Sequence, residues 1–175
     1  MTDYMVARFP AEGSAQSITQ NKYESIDIAW KNLKFLANLE EVWEALIQNY
    51  VELEKGLLSA AVNSMVRSDR GYNRSQNDRV LFTRLLSNLL STANAYLCHT
   101  PRYLNKINIA NLTNSFNLAK KEAYNKSFGY RLMYNLRNYA EHHGPALQGI
   151  TYSSDWDTEK NGDVIRKKKQ IYCEA

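Results

Sequence analysis

The chain has 175 residues, of which 44% are hydrophobic and 23% are charged, and its formal net charge is +4. Such a length and composition are ordinary for one soluble globular domain with its own core. No apolar run approaches the roughly 18 residues of a membrane-spanning helix, and the N-terminal sequence has neither the basic start nor the apolar stretch of a signal peptide. We therefore expect a cytoplasmic protein without a membrane partner.

The charge is distributed unevenly along the chain. Residues 1–65 contain five Lys or Arg and nine Asp or Glu, whereas residues 66–137 contain twelve and three. A basic segment of this kind raises the local concentration of phosphate-bearing partners and their rate of association. A solvated basic helix face explains the same excess, so charge alone leaves both interpretations open.

The N-terminal part of the chain predicts an arm followed by a helix. Residues 1–19 show little apolar periodicity, and we expect a flexible N-terminal arm there. Apolar residues recur at helical spacing from about Gln20 to Leu36. This pattern predicts an amphipathic helix with Trp30 on its core face.

A second helix is predicted to start at Asn38, because Glu41 three residues later completes a capping box. Its unbroken apolar period extends to about Arg67. Gly56 lies inside this helix, where it costs on the order of 1 kcal/mol relative to Ala. A close contact with another helix would offset that cost.

The middle of the chain predicts a helical hairpin and a shorter helix. Residues 68–78 are polar and predict a loop, and the apolar pattern that follows predicts a long helix ending before Pro101. The two long helices are expected to pack antiparallel. A connector over residues 101–114 leads to a further amphipathic helix over about residues 115–125.

A last helix is predicted over the sequence FGYRLMYNLRNYAEH. Ser127 is its expected N-cap, Gly144 permits a left-handed C-cap, and Pro145 cannot continue the helix. The residues at helical spacing that form its expected inward face are Leu132, Met133, Leu136 and Ala140.

Residues 146–175 predict a C-terminal β-hairpin. Its β-prone segments end near Tyr152 and resume at Val164, and the turn-rich residues 153–163 between them include an Asn-Gly pair. The chain ends just after a strand-like run, which is compatible with a piece of a longer protein.

Polar side chains concentrate in the last turns of the final helix. At about 100° per residue, Asn138 and His142 share a face, whereas Arg137 lies roughly 140° from His142. A long arginine side chain, fraying of the last turn, or a second copy of the helix in a dimer would close that gap. A purely structural interpretation is also open, in which Arg137 and Glu141 form an i,i+4 pair and His142 hydrogen-bonds the helix end.

The run YRLMYNLRNY, followed by His142, Gly144 and Pro145, resembles the R-x(4–6)-H motif of the HEPN superfamily, in particular HEPN-type proteins of bacterial defence and toxin systems. The resemblance spans roughly residues 20–145 and implies an all-α, HEPN-like bundle of four to five helices with two long antiparallel helices. Superfamily toxins that are silenced by nucleotide transfer carry a tyrosine two residues after the histidine. This chain has Gly144 there, and so departs from that pattern.

The resemblance implies a metal-independent endoribonuclease of a toxin or phage-defence system that requires no cofactor. His142 would take a proton from a ribose 2′-hydroxyl or give one to the leaving 5′-oxygen. Arg137 would neutralise charge on the phosphoryl oxygens, and Asn138 would orient the imidazole or a phosphate. The expected product carries a 2′,3′-cyclic phosphate. The other residues expected to contact the substrate are Arg131, Tyr139, His143, Lys120 and Lys121.

The implied partners are RNA, a second copy that completes a composite active site, and an antitoxin or regulatory protein. No carboxylate pair adjoins the histidines, and Cys98 and Cys173 lack the spacing of zinc ligands, so no metal site is expected. The alternative is a non-catalytic HEPN-like module that binds nucleotide or nucleic acid, or that serves regulation or dimerisation in a larger defence protein.

Overall fold

The computed structural model describes the backbone at residues 4–6, 16–66, 72–107, 111–158 and 164–174. Within these residues, the helices are α1 (Gln20–Val66), α2 (Tyr72–Ile107), α3 (Leu112–Lys126) and α4 (Phe128–His142). The strands in the same ranges are β1 (Tyr4–Val6), β2 (Gln16–Ile18), β3 (Gly149–Thr158) and β4 (Val164–Glu174). The predicted all-α bundle with a small C-terminal strand pair is confirmed.

Helices α1 and α2 form the predicted antiparallel hairpin. The Lys106 ammonium lies 5.2 Å from the centre of the Phe35 ring, and the rings of Trp43 and Tyr96 are 5.2 Å apart. As the residue number rises along α1, that of its neighbour on α2 therefore falls. The hairpin is the frame against which the shorter helices pack.

The core lies where the second half of α1 meets α2 and the segment after α4. A cluster of buried residues joins these three parts: Ala60, Phe82, Leu85, Leu86, Leu90, Ala146 and Leu147. A Cβ atom added to Gly56 would lie 2.8 Å from Cδ1 of Leu85, so the two long helices approach each other closely there. This contact confirms the interpretation of Gly56.

Helix α1 is continuous, so the predicted start of a second helix at Asn38 is wrong. The capping-box pattern is local, and neither Pro nor Gly interrupts the sequence between Gln20 and Gly56. Asn38 and Leu39 are half-buried inside the helix, so packing favours its continuation.

Helix α2 is longer than predicted at both ends. It begins at Tyr72, so most of the predicted loop over residues 68–78 is helical, and it passes through Pro101 to Ile107. Leu104 and Ile107 are buried, and their burial offsets the backbone bond that a helical proline removes. Helix α3 likewise starts three residues before the predicted Ser115.

The first turns of α1 project beyond the bundle, and the expectation that Trp30 lies in the core is wrong. Trp30 is 67% exposed and Leu33 is 60% exposed. Helix α1 has 47 residues and α2 has 36, so the antiparallel pair leaves the N-terminal turns of α1 without α2 alongside. Apolar periodicity predicted the helix correctly but could not reveal which part of it has a partner.

Both strand pairs are antiparallel. Strand β1 pairs with β2, which the sequence analysis did not predict within the N-terminal arm. Strand β3 pairs with β4 as predicted, but it extends to Thr158, so much of the expected linker over residues 153–163 is strand. The predicted Asn-Gly turn lies outside the described residues.

The C-terminal β-hairpin is attached to the α1–α2 hairpin. The Tyr152 hydroxyl donates a hydrogen bond to the carboxylate of Asp78 on α2.

Within the described residues, no helix contains a stretch long and apolar enough to cross a bilayer.

Candidate functional site at the end of α4

The start of α4 is fixed by side-chain caps. The Ser127 hydroxyl accepts a hydrogen bond from the backbone N–H of Tyr130 at 3.1 Å, which confirms the predicted N-cap. Nη1 of Arg131 donates to the carbonyl oxygens of Tyr124 (3.0 Å) and Asn125 (2.8 Å) at the end of α3. The structure thus places Arg131, expected to contact substrate, at the corner between the two helices.

The end of α4 differs from the predicted left-handed cap. The backbone N–H groups of His143 and Gly144 both donate to the carbonyl oxygen of Tyr139, at 2.8 and 3.3 Å. These two bonds end the helix without a positive φ at Gly144, so the left-handed cap that this glycine permits is not formed. Ala146 and Leu147 then enter the core with exposures of 0% and 4%.

The inward face of α4 is narrower than predicted. Met133, Leu136 and Ala140 pack against the core. Leu132 is instead 48% exposed, because its position lies at the edge of that face, on the side of Phe128, which is 70% exposed. An outer apolar patch formed by Phe128 and Leu132 therefore lies on the first turns of α4.

Arg137 lies on the other side of α4, half-buried against the bundle. Its Nη1 donates to Oδ1 of Asn138 at 2.9 Å, and its Nη2 lies 2.6 Å from Oε2 of Glu141. The ion pair of the structural interpretation is therefore present, although only 23% of the Arg137 side chain is exposed. Its Nε atom is buried and has no hydrogen-bond partner among the described residues.

His142 is exposed at the last position of α4. Its side chain makes no hydrogen bond, ion pair or ring contact with any other residue that the structure describes. The Arg137 side chain turns to Asn138 and Glu141 instead, so the 140° separation along the helix is not closed within one chain. The structure brings Arg137 and Asn138 together, but not His142.

Two other predicted substrate contacts support the helix end. The rings of Tyr139 and His143 lie 5.7 Å apart and are inclined by 31°. The Tyr139 hydroxyl accepts a hydrogen bond from Nε2 of Gln148 at 2.9 Å. Tyr139 thereby connects α4 to the segment that leads into β3, and His143 packs on it.

Lys120 and Lys121 lie near the middle of α3, on a different helix from the motif. Lys121 is exposed and Lys120 is half-buried, and neither forms an ion pair with a described residue. Their charges are available to an anionic partner on the surface of α3. Only their positive charge supports the expectation that they contact the same substrate as His142.

A groove of about 410 Å³ between α2 and α4 was not predicted. Its walls are mainly apolar, and Arg137 lies at its border; the other lining residues include Leu89, Leu90, Ala93, Leu97, Tyr130, Met133 and Tyr134. Burial raises the pKa of the Tyr130 hydroxyl, and the neighbouring Tyr134 raises it further. The signal was present in the sequence, because Tyr130, Met133, Tyr134 and Arg137 recur at helical spacing.

Comparisons with protein-family models, with curated proteins and with solved structures give no match for this chain. The resemblance to the HEPN superfamily therefore stays a prediction from the motif. Within the described residues, no group of three or more His, Cys, Asp or Glu side chains is placed to hold a metal ion.

Proposed function

We propose that this chain is a metal-independent endoribonuclease of the bacterial toxin or phage-defence type, active as a dimer. The observation that carries the proposal is the exposed, uncommitted His142 on the outer face of α4. By helical rotation this position lies about 40° from Phe128, whose exposed ring marks the same face. A second copy that covers this apolar surface would bring a histidine from each chain to the border of the interface.

In the proposed reaction, His142 accepts the proton of a ribose 2′-hydroxyl as its oxygen attacks the adjacent phosphorus. The bond to the 5′-oxygen breaks, the leaving oxygen takes a proton from the imidazolium, and a 2′,3′-cyclic phosphate and a 5′-hydroxyl remain. Arg137 uses two N–H groups for Asn138 and Glu141, so it retains donors for the phosphoryl oxygens. Arg137 and His142 face different sides of one helix, so a single chain does not bring them together, and we assign the composite site to the dimer.

The basic segment supports RNA as the substrate. Residues 66–137 contain twelve Lys or Arg and three Asp or Glu, and they include α2, α3 and the first turns of α4. This excess of positive charge favours a polyanion and makes its binding sensitive to salt. An antitoxin or regulatory partner would silence the enzyme by covering the same face of α4.

A specific observation favours a second candidate, a non-catalytic module that binds nucleotide or nucleic acid. Arg137 is already paired with Glu141 and borders an apolar groove instead of facing His142. In this alternative, the basic segment binds phosphates and the end of α4 has only a structural role.

The two candidates are separated by incubating the purified chain with total RNA in EDTA. The ribonuclease proposal expects cleavage by the wild type, products that end in a 2′,3′-cyclic phosphate, and no cleavage by His142→Ala. His143→Ala is the matched control, because it removes the neighbouring imidazole. RNA binding without cleavage in all three proteins would favour the second candidate.

A further inference from the structure

The strongest feature outside the α4 site is an apolar stripe on the projecting part of α1, which we call the α1 stripe. It consists of Tyr23, Ile26, Trp30 and Leu33, which are all exposed, and Ala37. These residues follow one another at intervals of three and four, so they occupy an arc of about 80° along one side of the helix. This is the pattern of a helix that pairs with another helix.

The α1 stripe faces away from the bundle. Phe35 contacts α2, and Ala60 belongs to the core, so these residues define the side of α1 that packs against its own chain. The stripe lies about 150° from that side around the helix axis. A second helix can therefore lie along the stripe without meeting α2 of the same chain.

The area of the stripe fits a protein interface. With Trp30 at 67% and Leu33 at 60% exposure, and Leu36 exposed at its edge, the apolar surface is on the order of 500 Å². A stable interface buries about 800 Å² on each partner. The stripe with its flanking charged residues approaches that size, so it can form the centre of a complete interface.

We propose that the α1 stripe pairs antiparallel with the α1 stripe of a second copy, about a two-fold axis beside residues 31 and 32. In this register Trp30 packs on Leu33 of the partner subunit, and the two-fold axis repeats that contact. On one flank, Asp27 meets the partner's Lys34, again twice. On the other flank, Leu36 meets the partner's Ala29, so a charged flank and an apolar flank both find matching residues.

The charges favour this arrangement over a parallel pair. A parallel register would place Lys22 beside the partner's Asp27, but it would also set Lys34 beside the partner's Ala29 and Leu36 beside the partner's Glu41. A charged side chain would then lie against an apolar one on both flanks. The antiparallel register avoids these mismatches, because it places the flank with Asp27 and Lys34 against its own copy and the flank with Ala29 and Leu36 against its own copy.

This interface is distinct from the α4 site and does not depend on it. The core beside the end of α4 packs against α1 around Gly56 and Ala60, about 40 Å along the helix from the proposed two-fold axis. The two α4 ends of this dimer therefore point away from each other. A chain that also pairs through α4 would form a larger assembly.

The first test is the mass of the full-length chain by sedimentation and light scattering. The double variant Trp30→Glu and Leu33→Glu should have half the mass of the wild type at the same concentration, with unchanged helical circular dichroism. Leu118→Glu is the control, because Leu118 is 67% exposed on α3, outside the stripe, and the mass should not change. A stripe variant with the mass of the wild type would overturn the proposal.

The second test reads the register without changing apolar surface. Asp27→Lys should weaken self-association about tenfold, because it replaces two attractive contacts by two repulsive ones. Adding Lys34→Asp should restore most of the affinity. Lys31→Ser is the control for the intrachain Asp27–Lys31 pair and should have little effect. Restoration by Lys22→Asp in place of Lys34→Asp would show a parallel pair and contradict the proposed register.

Discussion

Nη2 of Arg137 lies 2.6 Å from Oε2 of Glu141, one turn further along α4. This contact holds the guanidinium toward the bundle and away from His142. It also places a negative charge beside the proposed RNA-binding end of the helix. The pair is partly exposed, so we assign it about 1 kcal/mol or less of stability.

We therefore predict that Glu141→Gln strengthens RNA binding several-fold at low salt, because it removes a repelling charge and releases Arg137. Glu122→Gln is the matched control, since Glu122 forms an i,i+4 pair with Lys126 on the neighbouring helix. Binding measured at two salt concentrations tests this prediction. Equal gains in RNA affinity in the two variants would show that only the net charge of the chain matters, and not the release of Arg137.

Catalysis should depend on both motif residues. His142→Ala should abolish cleavage, because the other imidazole at that helix end, His143, packs on Tyr139, and Arg137→Ala should nearly do so. His143→Ala should retain most of the activity. Cleavage should persist in EDTA and stop on a substrate with 2′-deoxyribose at the cut site, because the attacking oxygen is then missing.

A stability measurement separates loss of catalysis from misfolding in these variants. His142 is exposed, so its truncation should leave the free energy of unfolding nearly unchanged, whereas Arg137→Ala should lower it by about 1 kcal/mol. Urea denaturation of each variant provides this check. A folded His142→Ala protein with full activity, or an absolute need for added Mg²⁺, would contradict the mechanism.

The outer face of α4 should mediate the pairing that the composite site needs. Phe128→Glu with Leu132→Glu places charge on that exposed apolar surface and should reduce both cleavage and self-association. Light scattering and the RNA assay measure the two effects. Loss of cleavage with unchanged mass would argue against a site shared between two chains.

A side chain at Gly56 should lower the stability of the fold. Gly56→Ala brings a methyl group to 2.8 Å from Leu85 Cδ1, and overpacking of about 1–3 kcal/mol outweighs the helix propensity gained by Ala. We expect a net loss of about 1 kcal/mol in the free energy of unfolding. Gly129→Ala is the control, because its nearest neighbour would be Ser127 Oγ at 3.8 Å. A Gly56→Ala protein as stable as the wild type would show that Leu85 moves aside freely.

Stability at alkaline pH should depend on Tyr130. Burial raises its pKa above the ordinary value of 10.0, so the folded chain keeps this proton at a pH where the unfolded chain has lost it. The stabilisation is complete below the unfolded pKa and is lost as the pH rises through the folded pKa. Tyr130→Phe should therefore flatten the alkaline fall in stability, measured by urea denaturation at about pH 8 and about pH 11. Tyr50→Phe is the control, and an equal effect in both variants would contradict the assignment.

Local patterns predicted the parts of the fold that local chemistry decides. Ser127 caps α4 as expected, and Gly56 marks the close approach of the long helices. The helix start predicted at Asn38 and the helix end predicted before Pro101 were wrong, because local capping and helix-breaking signals compete with burial. The burial of Leu104 and Ile107 depends on which helices meet, and a local pattern does not contain that information.

The candidate site was predicted in its residues but not in its geometry. The spacing of Arg137 and His142 gave their separation around α4, and the structure leaves them apart within one chain. The choice of Glu141 as the arginine's partner and the groove beside α2 depend on tertiary packing. The exposure of Trp30 had the same cause, since a helical period does not reveal whether a neighbour is present.

The burial of Ala146 and Leu147 directly after the histidines has a kinetic consequence. These residues are buried in the core, and the Gln148 side chain is hydrogen-bonded to Tyr139. The backbone is therefore held in place both before and after His142. Its amide protons should exchange with solvent only when the core itself opens. The backbone at the end of α4 is then rigid. A substrate or partner that binds there must adapt its own conformation, and only side chains of α4 can rotate to meet it.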